Sequence, residues 1–220
     1  MDIDGVRYER IPVKTHLVSF GEDLVALASR YVKPLVRPGD WFAVSEKLVS
    51  VCQSNVRHIG SVHVSPLARL ITRFVKKYPN DIGFSRPEKM QLVVELAGWR
   101  IFPAIIVGGV GKLVGARGLF WRIAGNRVSE IDGFNPDAMD PYKEYAVLPP
   151  RDPAEVCAAL ERGLGIPAAI IDANNINVEV IAESPGVPVS RALARRILLD
   201  NVMGQDDELT PFVIVRKSSA

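Results

Sequence analysis

Apolar positions recur with two different periods along this chain, and the changes of period mark its elements. Residues Leu24, Leu27, Ala28 and Tyr31 repeat at i, i+3, i+4 and i+7, the stripe of an amphipathic helix over 23–33, which Pro34 stops. Before it, Tyr8 to Val18 alternates as a strand does, and Pro12 marks an edge or a bulge. After the turn Pro38-Gly39-Asp40, the run Trp41-Phe42-Ala43-Val44-Ser45 reads as a buried strand. Ser65 to Lys77 returns to helical spacing through Leu67, Leu70, Ile71 and Phe74, with Ser65 as N-cap and Pro66 in the first turn.

Pro87 to Leu96 is a second such helix, built on Met90, Leu92, Val93 and Leu96. Phe102 to Val107 reads as a strand, Gly108 to Gly118 as a flexible, ligand-covering loop, and Leu119 to Ala124 as another strand. The clearest joint is Pro149-Pro150-Arg151-Asp152-Pro153. There Asp152 can cap a helix that runs through Val156, Ala159, Leu160 and Leu164. Ala168 to Asp172 is a short buried strand, Val178 to Ile181 another, Val189 to Leu199 the last helix and Phe212 to Val215 the last strand. No internal repeat is visible, and residues 217–220 read as a flexible tail.

Composition narrows the class. The 220 residues are 48% hydrophobic and 24% charged, as in an ordinary globular protein, and suffice for one large domain or two small lobes. A net charge of +2 is too weak a bias to suggest a nucleic-acid partner. The acidic start Met1-Asp2-Ile3-Asp4-Gly5 lacks the apolar core of a signal peptide. The apolar run Ile101 to Gly111 is too short and too Gly-rich for a bilayer span of about 20 residues, so no membrane partner is expected. Cys52 and Cys157 have no CxxC spacing, which fits a reducing cytoplasm. His58 and His63 lie five apart and do not share a helix face, so they read as surface or structural residues.

Three oxygen-rich clusters are the candidate chemistry. One surrounds Asp132 in Glu130-Ile131-Asp132-Gly133-Phe134-Asn135. Another follows the strand that ends in Asp172. The third fills the turn from Asn201 through Gln205, Asp206, Asp207 and Glu208. Taken alone, each is better read as cap and turn chemistry. Together they raise the case for one magnesium-type site, because that ion binds through a few carboxylates and substrate phosphates. Gly108-Gly109-Val110-Gly111-Lys112 is no phosphate loop, since Ile106 stands where the first Gly belongs and Leu113 where the hydroxyl belongs.

These stretches, in order, resemble the coenzyme F420-0:L-glutamate ligase (gamma-glutamyl ligase) family. The likeness is carried by Ile11-Pro12-Val13-Lys14-Thr15 and by Pro38-Gly39-Asp40 through Ser45-Glu46-Lys47-Leu48-Val49-Ser50. It continues in Arg122 to Asn135 and in Ile170-Ile171-Asp172-Ala173-Asn174. Its most specific part is Val202-Met203-Gly204-Gln205-Asp206-Asp207-Glu208, followed by Pro211 and Arg216. The resemblance implies an α+β fold: a two-lobed subunit over 1–220 with mixed and antiparallel sheets, flanking helices and an intertwined homodimer. It implies GTP and magnesium or manganese as cofactors, with carboxylate and amine substrates joined through an acyl phosphate.

Carried over position by position, the metal ligands are Asp132, Asp172 and Gln205. Ile11, Pro12, Val13 and Lys14 hold one side of the nucleotide, and Glu46 and Lys47 lie near the phosphates, Lys47 as a point charge. Asn135, Asn201, Gly204, Gln205, Asp206, Asp207 and Glu208 line the nucleotide. The sequence departs from the family pattern where an Asp-Thr pair becomes Asp172-Ala173. A Lys expected after the Val-Ser pair is Val51, and a basic run after the strand is replaced by Asn174-Asn175-Ile176-Asn177-Val178-Glu179. These departures read as a divergent paralogue that keeps its nucleotide half and alters its acceptor pocket, with Asn174, Asn175 or Glu179 as compensating ligands. A regulatory binding protein on the same scaffold, or a ligase for a different acid, are the alternatives.

Overall fold

The computed structural model describes residues 1–75, 86–113, 115–116, 118–125, 128, 131–134, 139–173, 178–204 and 208–218. In chain order, the first elements are β1 (Asp2–Ile3), β2 (Val6–Val13), α1 (Leu24–Tyr31), β3 (Trp41–Ser45), α2 (Glu46–Cys52) and β4 (Val56–His58). Then come α3 (Pro66–Phe74), α4 (Pro87–Ala97), α5 (Ile101–Leu113), α6 (Leu119–Ala124), β5 (Asp132–Gly133) and β6 (Tyr145–Val147). The last are α7 (Pro153–Leu164), β7 (Ala168–Ala173), β8 (Val178–Glu183), α8 (Arg191–Ile197) and β9 (Phe212–Lys217). The fold is α+β, with a mixed sheet of six strands and a small one of three. The chain divides into two compact units, one of residues 1–55 and 150–220, the other of residues 56–149.

The first unit holds the larger sheet, in the order β1-β2-β9-β3-β7-β8, where only β3 and β7 pair in parallel. Its central strands are buried on both faces, which is why they read as unbroken apolar runs. Trp41, Ala43, Ala169, Ile171, Val213 and Val215 pack with Ala194, Ile197 and Leu198. The residues between them in sequence, Phe42, Val44, Ile170, Phe212 and Ile214, are buried as well. Phe42 and Phe212 meet edge to face, their centroids 6.1 Å apart. Helix α1 packs on α7, which lies against β7 and β8.

Helix starts follow the sequence chemistry. Asp23 accepts hydrogen bonds from the Val25 and Ala26 amides at 2.8 and 3.0 Å, and Ser190 Oγ from Leu193 at 3.3 Å. Asp152 occupies the cap position of α7, but at φ 45° its side chain makes no capping bond. β9 runs through Lys217, which pairs with Tyr8, and the Ser218 amide donates to the Arg7 carbonyl at 2.8 Å. The ordered strand thus extends into the tail that the pattern marks as flexible, and residues 219–220 lie outside the described ones.

A buried ion pair ties the two ends of this unit. Arg216 Nε donates to Asp40 Oδ1 at 3.0 Å and its Nη2 to Oδ2 at 2.8 Å. The Arg37 amide donates to the same Oδ2 at 2.8 Å. Two pieces of the sequence pattern, the Pro-Gly-Asp turn and the terminal Arg, are therefore partners in one structural contact.

In the second unit β4-β6-β5 form the small antiparallel sheet. The core gathers Ala68, Ile71, Met90, Leu92, Val93, Ile101, Ala104 and Phe134. Two expected strands and a loop are helical instead. Phe102 to Val107 and the glycines as far as Gly111 belong to α5, and Leu119 to Ala124 is α6. Their sequence is apolar on every side, so it displays neither period, and length alone misassigns it. The glycines have a packing role. A Cβ on Gly108 would lie 2.8 Å from Phe120 Cβ, and one on Gly111 2.6 Å from Leu119 Cδ1. Spaced i, i+3, they let α6 approach α5 closely.

Candidate active site

The direction of the strands builds this site. β9 runs antiparallel to both β2 and β3, and β7 runs parallel to β3. The carboxyl ends of β2, β3 and β7 therefore emerge at one end of the sheet, the place where open α/β sheets hold ligands. Register aligns them: Val13 and Val44 both pair with Phe212, and Ser45 pairs with Ile171. Backbone bonds fasten the entry to β9 there, from Thr15 N to Leu209 O at 2.8 Å and from Ser45 N to Pro211 O at 2.9 Å.

Most of the first-unit residues singled out from sequence sit at this end. Ile11, Pro12 and Val13 close β2, and exposed Lys14 follows. Buried Glu46 and exposed Lys47 open α2 directly after β3. Asp172 lies half-buried at the end of β7, and Glu208 is exposed shortly before β9. Asp132 is exposed on β5 of the second unit. Asn135, Gln205, Asp206 and Asp207 lie outside the described residues.

Beside Asp172, in register on β8, stands Glu179. Directly opposed residues share a sheet face, so the register brings two acidic residues to one edge of the sheet. Asp172 and Glu179 thus form a two-carboxylate pair that suits a hard cation. Among the described residues, no group of three His, Cys, Asp or Glu side chains is arranged to hold a metal ion.

The turn after α8 adds a polar contribution. Asn201 is buried at φ 46°, and its Nδ2 donates to the Gly204 carbonyl at 3.3 Å. Its Oδ1 is buried with no hydrogen-bond partner among the described residues. Gly204 has φ 75°, and a Cβ there would fall 2.4 Å from the Glu208 carboxyl carbon. Only glycine lets that carboxylate fold back over the turn.

A cavity of about 430 Å³ lies along β8 and α8, lined by Val178, Glu179, Val180, Arg191, Ala192 and Arg195. Arg191 and Arg195 are one helical turn apart, with Arg191 Nε 3.3 Å from Glu183. Guanidinium pairs of this kind suit a carboxylate or phosphate. The sequence reading missed this feature, although the i, i+4 spacing of the two arginines was its signal.

The surroundings of both thiols disfavour the thiolate. Burial, with the Glu22 and Asp23 charges, pushes the Cys52 thiol up to about 12, and burial pushes Cys157 up to about 11. Neither forms the thiolate that a nucleophile needs at neutral pH. Val51, at the position where the family resemblance expects a Lys, is a core residue of α2. Ala173 ends β7 without a hydroxyl.

A family model described as F420-0:Gamma-glutamyl ligase matches residues 12–197. The match takes in both Asp132 and Asp172 and the ends of β3 and β7. It stops short of the turn from Asn201 to Glu208. No curated protein matches the chain.

Proposed function

The chain belongs to the F420-0:gamma-glutamyl ligase family, and from that premise we propose that it is an amide-forming ligase driven by GTP and a divalent cation, magnesium or manganese. It joins the amine of glutamate, or a similar amine, to a carboxylate acceptor such as coenzyme F420-0. The acceptor carboxylate attacks the γ-phosphorus of GTP and GDP leaves. The amine then attacks the acyl phosphate, loses a proton and releases inorganic phosphate. The cation supplies charge neutralisation on the transferring phosphoryl group.

The chain's own residues take distinct parts. Asp172 and Glu179, with Gln205, hold the cation. Lys47 and Lys14 bring positive charge to the phosphates. Ile11, Pro12, Val13, Glu46, Asn201, Gly204, Asp206, Asp207 and Glu208 border the nucleotide. Arg191 and Arg195 bind the acceptor's acidic groups beside β8. The observation that supports this reading most is the gathering of the carboxyl ends of β2, β3 and β7, with Lys14, Lys47 and Asp172, at one end of a sheet. A homodimer in a reducing cytoplasm completes it.

The direct test incubates the protein with GTP, magnesium, glutamate and F420-0. The expected result is a glutamylated acceptor with stoichiometric GDP and phosphate. A second reading is favoured by Ala173 and Val51, which replace a hydroxyl and a cation of the family pattern: a nucleotide-binding paralogue that turns nothing over. Tight GTP binding with no phosphate release across a panel of acids and amines would select it.

A further inference from the structure

The second unit exposes an apolar face that the proposed chemistry does not use. Along α5, Phe102, Ile106 and Val110 recur at i, i+4 and i+8, and they are 60%, 67% and 57% exposed. Trp99, just before the helix, is 76% exposed. On α3, Phe74 is 68% exposed, and Leu70 lies one turn before it. The Lys112 ammonium donates to the Phe74 carbonyl at 3.2 Å, which holds the end of α5 beside the end of α3. Each helix thus exposes apolar side chains, and this contact links their ends. Soluble monomers rarely present an apolar patch of this kind unless it meets a partner.

Charge identifies the partner. The chain as a whole carries +2, but residues 66–127 carry eleven Lys and Arg against three Asp and Glu. Arg69 and Arg73 are exposed one turn apart on α3, immediately beside Leu70 and Phe74. Arg100, Lys112 and Arg122 are exposed on and around α5 and α6. An exposed apolar face with a Trp at one end and basic residues around it suits the headgroup region of an anionic bilayer, where the apolar side chains are buried and the basic ones meet negative charge. A second copy of this chain fits the face less well. A twofold contact would set the same basic border against itself, and like charges opposed across an interface disfavour it.

Residues 87–112 comprise 26 helical residues, long and apolar enough by length and composition to cross a membrane, with a mean hydropathy of 1.6 over an 18-residue window. Packing argues for lying on the surface instead. α4 commits Met90, Leu92, Val93 and Ala97 to the core of its unit, and α5 commits Ile101 and Ala104. α4 is capped by Gly98 at φ 53°. α5 alone reaches about 20 Å, against a hydrocarbon core of about 30 Å.

We infer that the outer face of α5, with Trp99, Leu70 and Phe74, docks this protein reversibly on an anionic lipid surface. This departs from the sequence expectation of no membrane partner, and it is independent of the ligase reading. The test is flotation of the full-length protein with vesicles of phosphatidylcholine alone and of phosphatidylcholine with about one-third phosphatidylglycerol. Binding is expected to the second and not the first, to fall with salt, and to weaken roughly fivefold for each basic residue removed in Arg100→Gln and Lys112→Gln. Phe102→Ser with Ile106→Ser is expected to abolish it while leaving the melting temperature unchanged, since both side chains are exposed. The blue shift of tryptophan emission on binding should vanish in Trp99→Phe. Failure to float with anionic vesicles overturns the inference, as does equal binding to both compositions. Self-association relieved by the Phe102 and Ile106 substitutions, without vesicle binding, overturns it in favour of a contact between copies.

Discussion

Asp40 and Arg216 stand 176 positions apart in the chain and meet as a two-pronged, largely buried ion pair. Removing one member strands the other's charge in a low-dielectric setting. Asp40→Ala should therefore cost about 3 kcal/mol of unfolding free energy, and Asp40→Ala with Arg216→Met much less than twice that, measured by urea denaturation. A loss under about 0.5 kcal/mol would mean the pair is solvated. The thiols give a pH prediction. Folding favours the neutral Cys52 and Cys157 thiols, so the stability they contribute is complete below the usual thiol value of 9.0. It drains as pH rises through about 11 and about 12, where their folded-state values lie. Neither should react with iodoacetamide at pH 8 until the protein is denatured, which mass spectrometry can follow.

Among the elements, the glycines of α5 separate two roles that look alike in sequence. Gly108 abuts Phe120, whereas a Cβ on Gly109 would meet nothing within 4 Å. Gly108→Ala should destabilise by about 1–3 kcal/mol through overpacking, and Gly109→Ala should stabilise by about 0.5–1 kcal/mol through helix propensity. Equal effects at the two positions would contradict the packing of α6 on α5. The elements that sequence revealed most fully had contrast to reveal. α1, α3 and α7 have a wet face and a dry face, and β3 is a short run between a Gly turn and a helix. α5 and α6 lacked that contrast, so tertiary packing rather than pattern decided them. At the site, Lys14, Lys47 and Asp172 were legible because motifs carried them. Glu179 was named only as one of three compensating ligands and Arg191 not at all, because their placement depends on the β7–β8 register and on where α8 lies, neither of which is written locally.

At the scale of the whole molecule, charge is divided unevenly. Residues 56–149 carry thirteen Lys and Arg against eight Asp and Glu, whereas the remainder carries fourteen against seventeen. The basic unit bears the apolar face, and the acidic one bears the sheet end with Asp172. Ligand binding to the folded state raises stability by mass action, so GTP with magnesium at about a hundred times its dissociation constant should add about 2.7 kcal/mol. Differential scanning fluorimetry would register this as a rise in melting temperature. GTP without the cation should give a small rise, and magnesium alone almost none.

The most direct measurement of the central claim is calorimetric titration of GTP into the wild-type protein and Asp172→Asn, each with and without magnesium. If the carboxyl ends of β2, β3 and β7 form the nucleotide and metal site, the wild type binds GTP in a magnesium-dependent way. Asp172→Asn then loses at least about tenfold in affinity, roughly 1.4 kcal/mol, while melting at the wild-type temperature. Magnesium-dependent binding of equal strength in both proteins, or none in the wild type, would contradict it.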